Sequence, residues 1–363
     1  MSFYETYKKL KNVSIQDIFS TITSVEIKKI LQKKKLNEFD FIVLLSPAAV
    51  PYLDIMAQKA HENTVQQFYK KIELYAPIYI SDFCVNQCEY CSFSITQTFK
   101  RKKLSLSEIQ AEANVLKELG FNHLLILTGE SKTHVPISFL KQVIKMLKKQ
   151  FDSVSIEIQP MDTTEYGDLV ASGTDGVTVY QEVYNEETYK KVHVKGPKRN
   201  YQYRIDTPER ACKAGMVKVN MGVLLGLADW RKEAYYLAMH VNYLQEKYPN
   251  TQIGLSFPRI RPNLGEFEPV VNVTDQHLIQ MMLAIRLFLP DCNMNLSTRE
   301  SPTLRDEILP YGVTNMSAAS CTAVGGYVSQ SQTKTVNHQF DISDVRSVEE
   351  IVTMLKHKGY QPI

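Results

Sequence analysis

Long apolar runs, an excess of charge of either sign and an abundance of cysteine are all missing from this 363-residue chain. No stretch approaches the roughly 20 consecutive apolar residues that a membrane-spanning helix requires. Its 42 basic residues face 39 acidic ones, a net charge of +3, so the chain lacks the strong basic field by which proteins hold nucleic acid. Six cysteines in a chain this long do not make the disulfide framework of a small secreted domain. Residues 1–7, Met-Ser-Phe-Tyr-Glu-Thr-Tyr, show no signal-peptide pattern, and a reducing, cytoplasmic location is expected. With 44% hydrophobic and 22% charged residues, the chain can bury a substantial core.

The cysteines that are present lie close together. Cys84, Cys88 and Cys91 fall within eight residues, and no fourth comes until Cys212. A [4Fe–4S] cluster has four irons, and thiolates at three of them leave the last open to another ligand. That vacancy implies chemistry rather than electron storage alone. A structural zinc site needs four closed ligands, and no Cys-x-x-Cys or His-x3-His partner appears downstream. Spacing of i, i+4, i+7 would also put three thiols on one helical face as small core groups. Asp82, Asn86, Gln87 and Glu89 make the segment too polar for that.

Residues 1–70 read as a helical extension packed on a barrel, and residues 71–363 alternate strand and helix signals. The expected strands are Ala76–Ile80, His123–Thr128, Val154–Ile158, Gly176–Tyr180, Lys218–Leu225, Ile253–Phe257, Met294–Ser297 and Val313–Ser317. Between them Ser105 and Glu108 form a capping box, Pro208 and Pro302 take first helical positions, Asp275 can cap a helix over 276–289, and a last helix starts at Ser347 with Glu350 three residues on. Eight such units predict an α/β fold, a (β/α)8 TIM-type barrel; an open doubly wound sheet has the same periodicity. Polar groups favour the barrel. Cys84, Thr128-Gly129-Glu130, Gln159, Gln181-Glu182, Arg259 with Arg261, and Thr298-Arg299-Glu300 all lie just past strands, as if converging on one mouth.

Cys-x3-Cys-x2-Cys with an aromatic, Tyr90, before the last cysteine resembles the signature of the radical S-adenosylmethionine (SAM) superfamily. Across almost the whole chain, Leu44-Leu-Ser-Pro-Ala-Ala49, Cys84–Phe93, His123–Glu130, Val179-Tyr-Gln-Glu182, Ser256–Pro262 and Leu296–Pro302 are similar to the 2-iminoacetate synthase family, the tyrosine lyases of thiamine thiazole biosynthesis. The resemblance implies that Cys84, Cys88 and Cys91 ligate a [4Fe–4S] cluster whose open iron chelates SAM. Tyr90 would pack by the adenine, and Gly129 and Glu130 would anchor the methionine amine. Glu182 and Arg204 match positions that hold the ribose or amine and the methionine carboxylate, although Arg204 also reads as an exposed helix approach. Ser297, Thr298 and Arg299 are the candidates for L-tyrosine, with Arg299 on its carboxylate, unless Arg299 instead bridges Glu300 or Asp306. Arg259 and Arg261 would bind polar groups or stiffen the sixth loop.

In the reaction this implies, an adenosyl radical takes hydrogen from the tyrosine amine, Cα–Cβ breaks, and p-cresol and 2-iminoacetate (dehydroglycine) form. The unstable imine calls for thiazole synthase as partner, and reduction calls for a flavodoxin-type or ferredoxin-type protein, which the basic run 100–103 could steer. Related readings are the hydrogenase-maturation tyrosine lyase, whose extra cysteine-bearing C-terminal domain has no counterpart after Cys321 here, and a tryptophan lyase. A non-enzymatic iron–sulfur sensor or carrier is the reading from another class. It would not need charged groups at six strand ends. Cys212, Cys292 and Cys321 are expected to be packing residues, His123 precedes a buried strand, and His193 and His240 lack metal-ligand spacing.

Overall fold

The computed structural model describes residues 2–265, 267–329 and 338–363. Eight strands close into one parallel barrel in chain order: β1 Lys71–Ser81, β2 His123–Thr128, β3 Ser153–Glu157, β4 Gly176–Glu182, β5 Lys218–Val223, β6 Gln252–Ser256, β7 Asn293–Leu296 and β8 Asn315–Ser317. β8 returns to β1, with Glu73, Leu74 and Tyr75 opposite Asn315, Met316 and Ser317. That closure removes the open-sheet alternative and leaves the barrel without an unpaired edge. Each strand overlaps its expected range. The largest shift is at the first, which begins five residues early at Lys71 because Lys71 and Ile72 pair with Gln361 and Pro362, a partner that side-chain pattern does not reveal.

The capping boxes at Ser105 and Ser347 form, and Pro208 and Pro302 stand at helix starts. One cap differs from expectation. Thr274, not Asp275, caps the helix after β6, accepting from the His277 amide. Asp275 is its first residue and pairs with Arg259 instead.

Three short strands escape sequence periodicity because they are too short to show one. Gln361–Pro362 extends the sheet beside the start of β1. Gln87–Cys88, inside the cysteine loop, pairs antiparallel with His193–Lys195.

The helices that precede β1 cover the barrel's outer helices. Phe3 stacks on His240 at 3.6 Å between ring centroids. The Gln280 amide donates to the carbonyls of Leu44 and Ser46 at 2.9 and 2.7 Å, and Arg231 Nε donates to Leu45 at 2.8 Å. Phe41, Val43, Leu44 and Leu45 are fully buried there, each worth about 1.5–3 kcal/mol of burial. Among the described residues no single helix is long and apolar enough to cross a membrane; the apolar pair Glu38–Leu45 and Pro47–Phe68 is bent by 86°.

Candidate active site

Beyond β1 the chain crosses the barrel mouth as a loop that carries Cys84, Cys88 and Cys91. It has little regular structure and is held at its margins. The Val85 amide donates to Glu130 at 3.0 Å, the Glu89 amide to Val192 at 3.0 Å and the Ile95 amide to Asn86 at 2.9 Å. Under the loop lies Gly129, whose amide donates to Ser81 at 2.8 Å. A Cβ at position 129 would come within 2.4 Å of the Phe83 carbonyl oxygen, so the loop takes this path only over glycine.

Arg101 ties the two limbs of the loop together. Its guanidinium donates to the carbonyls of Asp82 at 2.5 Å, Phe93 at 2.9 Å and Ser94 at 2.5 Å. The basic run expected to face a reductant therefore turns one of its charges inward, and Lys103 lies over the Phe139 ring, 4.0 Å from its centroid. Hydrogen bonds to a charged group contribute roughly 1.5–3 kcal/mol each. Arg101→Ala is accordingly expected to lower the iron retained per chain after desalting at least twofold and to speed thiol alkylation of the iron-free protein. Wild-type iron retention and alkylation rates would show that the loop holds itself.

The three cysteines line one cavity in the barrel mouth. Among the described residues no three His, Cys, Asp or Glu side chains converge as they would around a single metal ion. Three thiolates facing one cavity are the protein ligands that a [4Fe–4S] cluster with one open iron takes. Burial raises all three thiols, Cys91 to about 11 with the Cys84 thiol adding to the effect. They are protonated in the metal-free protein and would give up those protons on ligating iron.

Next to the cysteines lie two buried ion pairs. Arg204 is buried in the helix Tyr201–Ile205, not on an exposed approach. Its Nη1 bonds Glu130 at 2.7 Å and its Nε donates to the Tyr180 carbonyl at 2.8 Å. The second Glu130 oxygen accepts from Asn86 at 2.8 Å. Burial pushes the Glu130 carboxyl up, but Arg204 and Lys198 more than offset it, and it ends below the usual glutamate range. Glu182 comes after a β-bulge with φ of +69°, a left-handed backbone that non-glycine residues seldom adopt. The bulge turns its carboxylate toward Lys198, 2.7 Å away. Burial opposes the charge on Lys198, and Glu182 more than restores it. Tyr90 donates its hydroxyl to His193 Nε2 at 2.7 Å, while His193 Nδ1 lies 2.9 Å from the Tyr189 carbonyl. Burial, with Lys198 nearby, holds His193 neutral, well below its usual range.

Ser297, Thr298 and Arg299, just past β7, line the same cavity. The bridge that could have occupied Arg299 is absent. Glu300 pairs with Arg259, and Asp306 with Arg346 at 2.9 Å. The Arg299 guanidinium instead lies 3.4 Å from the Phe340 ring centroid. Arg261 faces the cavity; Arg259, held by Glu300 and Asp275, braces the loop after β6. Two strand-end glutamines do not reach the mouth: Gln159 is buried and donates to Val135 at 3.3 Å, and Gln181 is buried outside the cavity lining. Cys212, Cys292 and Cys321 are buried apart from the triplet.

Sequence reasoning missed Asn86, Glu157, Lys198, Gln339 and Phe340, all on the cavity wall. Alternation along β3 would have found Glu157, two residues from inward-facing Ser155. Gln339 and Phe340 come from a late loop without periodicity; Gln339 accepts from the Tyr79 hydroxyl at 2.7 Å and lies 3.9 Å from Cys91 Sγ.

A family model described as the radical SAM superfamily matches residues 78–237, and one described as the Biotin and Thiamin Synthesis associated domain matches residues 256–361. The chain is 38% identical to the 2-iminoacetate synthase of Escherichia coli, over 100% of this chain and 96% of that protein. It is 37% identical to the 2-iminoacetate synthase of Salmonella typhimurium, with the same coverage. Among solved structures, the FeFe-hydrogenase maturase HydG from Carboxydothermus hydrogenoformans matches with a TM-score of 0.86 and 31% identity, over 99% of this chain and 82% of that one. Identity at this level along nearly the whole of both proteins, on a barrel whose mouth holds the cysteine triplet, means that the chain belongs to the 2-iminoacetate synthase family of radical SAM enzymes, which work with a [4Fe–4S] cluster and SAM.

Proposed function

We propose that this enzyme cleaves the Cα–Cβ bond of L-tyrosine, releasing p-cresol and 2-iminoacetate for the thiamine thiazole. The observation that carries the reading is that Arg299 opens into the same cavity as the three cysteines, among walls that include Tyr75, Tyr79, Leu127 and Tyr180. A guanidinium fork matches a carboxylate, and aromatic walls suit a phenol ring. When bound, the cluster and SAM supply the radical that takes hydrogen from the substrate amine.

The chain's own residues position the reactants. Cys84, Cys88 and Cys91 hold the cluster, and Tyr90 packs beside the adenine. The pairs Glu130–Arg204 and Glu182–Lys198, with Gly129, set opposite charges against the ammonium and carboxylate of the methionine moiety. Arg299, with Ser297 and Thr298, fixes the tyrosine carboxylate. Placing the reaction inside the barrel keeps water away from reactive intermediates. The imine hydrolyses readily, so a thiazole synthase takes it up quickly, and a flavodoxin-type or ferredoxin-type reductant approaches the exposed Lys100 beside the cluster loop in the cytoplasm.

The test is anaerobic reconstitution, reduction, and addition of SAM and tyrosine. p-Cresol formed with 5′-deoxyadenosine, and without cyanide or carbon monoxide, is the expected result. Deoxyadenosine without p-cresol would overturn the substrate.

A further inference from the structure

We propose that Glu157 receives the phenol hydroxyl of the substrate and so distinguishes tyrosine from phenylalanine; this rests on tyrosine being the substrate. Among the described residues three carboxylates face the cavity, those of Glu130, Glu157 and Glu182. Glu130 is paired with Arg204 and Glu182 with Lys198. Of the three, only the Glu157 carboxylate makes no ion pair and no hydrogen bond with another described residue, although the charges of Arg299, Lys198 and Arg204 reach it across the cavity. A half-buried carboxylate without a donor costs free energy, and a ligand that brings a donor relieves that cost.

The topology says which end of the substrate does so. Glu157 ends β3, and Arg299 lies just past β7, four strands further round a closed ring of eight. The two residues therefore stand across the barrel from each other, on one cavity. An amino acid gripped by its carboxylate at Arg299 keeps its ammonium on that same side, one bond from Cα, and sends its side chain across. Leu127, the register partner of Glu157 on β2, and Tyr180 on β4 flank the far side. The hydroxyl of a phenol ring entering between them meets Glu157 and donates to it.

Burial, with Glu182 adding to it, outweighs the attraction of Arg299, Lys198 and Arg204 and pushes the Glu157 carboxyl up to about 7. Such a group gains most from a donor that arrives with the ligand. Phenylalanine fills the same space and leaves the carboxylate unpaired, and sites built around a substrate hydroxyl reject analogues that lack it.

The test measures binding without turnover, by calorimetry on cluster-loaded protein with SAM and no reductant. The probes are L-tyrosine and L-phenylalanine, and p-cresol formation by the reduced wild type is assayed in parallel. The wild type is expected to prefer tyrosine at least 100-fold. Glu157→Ala should weaken tyrosine about 100-fold and leave phenylalanine within threefold; Glu157→Gln, isosteric and still an acceptor, should keep part of the preference. Equal weakening of both amino acids, or an unchanged ratio in a Glu157→Gln protein with wild-type iron content and melting temperature, would overturn the assignment. A wild type that neither binds tyrosine nor makes p-cresol would overturn the substrate reading instead.

Discussion

Arg299→Ala is expected to lose about 100- to 1000-fold in kcat/KM for tyrosine, while SAM cleavage to 5′-deoxyadenosine continues and loses its coupling to p-cresol. Removing one partner of a buried charged hydrogen bond costs roughly 2–5 kcal/mol, and about 1.4 kcal/mol is a factor of ten in rate. The loss should fall on kcat as well as KM, because a substrate that slides within the barrel presents the wrong atom. Phe340→Ala offers a graded comparison. It keeps the charge and removes only the ring under the guanidinium, worth about 0.5–2 kcal/mol, so a drop of tenfold or less is expected. Steady-state assays of p-cresol against deoxyadenosine read both. An Arg299→Ala enzyme within threefold of wild type would move carboxylate recognition to Arg261, which also lines the cavity.

Arg305→Met should destabilise the fold by about 1–3 kcal/mol, short of the roughly 3–5 kcal/mol that a fully orphaned buried partner costs, because Asp344 keeps Arg346 at 2.7 Å. Arg305 and Asp344 are bonded to each other with neither side chain exposed, and Arg305 also donates to the Ser317 carbonyl at 2.6 Å. Burial pushes the Asp344 carboxyl up, but Arg346 and Arg305 more than offset it, so it ends below the usual aspartate range. A carboxyl depressed on folding adds stability that is complete above about pH 4 and is lost as pH falls through the lower native value. Chemical denaturation should show this loss for Arg305→Met at neutral pH and a smaller one in acid. Activity should fall with stability, since the amides of Ser343 and Asp344 donate to the Thr298 carbonyl at 2.9 and 3.1 Å, the residue before Arg299. A melting curve that matches the wild type would show that the pair contributes nothing net.

The barrel was legible because its signals are local. β2 announces itself as an apolar run between a helix end and Gly129, and Ser105 and Ser347 mark helix starts by their own chemistry. The cysteine triplet and Arg299 were legible because each stands in a motif. Glu157 was legible in the alternation of β3 and was passed over. Lys198 and Phe340 were not legible, because what brings them to the cavity is long-range: Lys198 depends on a turn that swings it back over Glu182, and Phe340 on a late segment folding across the mouth. The mutual pairing of Glu130 with Arg204 was hidden for the same reason. Each looked like a separate ligand-binding residue, and only the closed barrel sets their side chains 2.7 Å apart.

The contact between Phe83 and Gly129 bears on how such a site could be moved or inherited. A loop that borrows its floor from a different strand is not portable by itself. Grafting residues 83–91 into another barrel would fail on any host with a side chain at the matching strand end, since that atom would occupy the space of the Phe83 carbonyl. The cysteine loop and the glycine at the end of the next strand form one module written in two places, and a change in one calls for a change in the other.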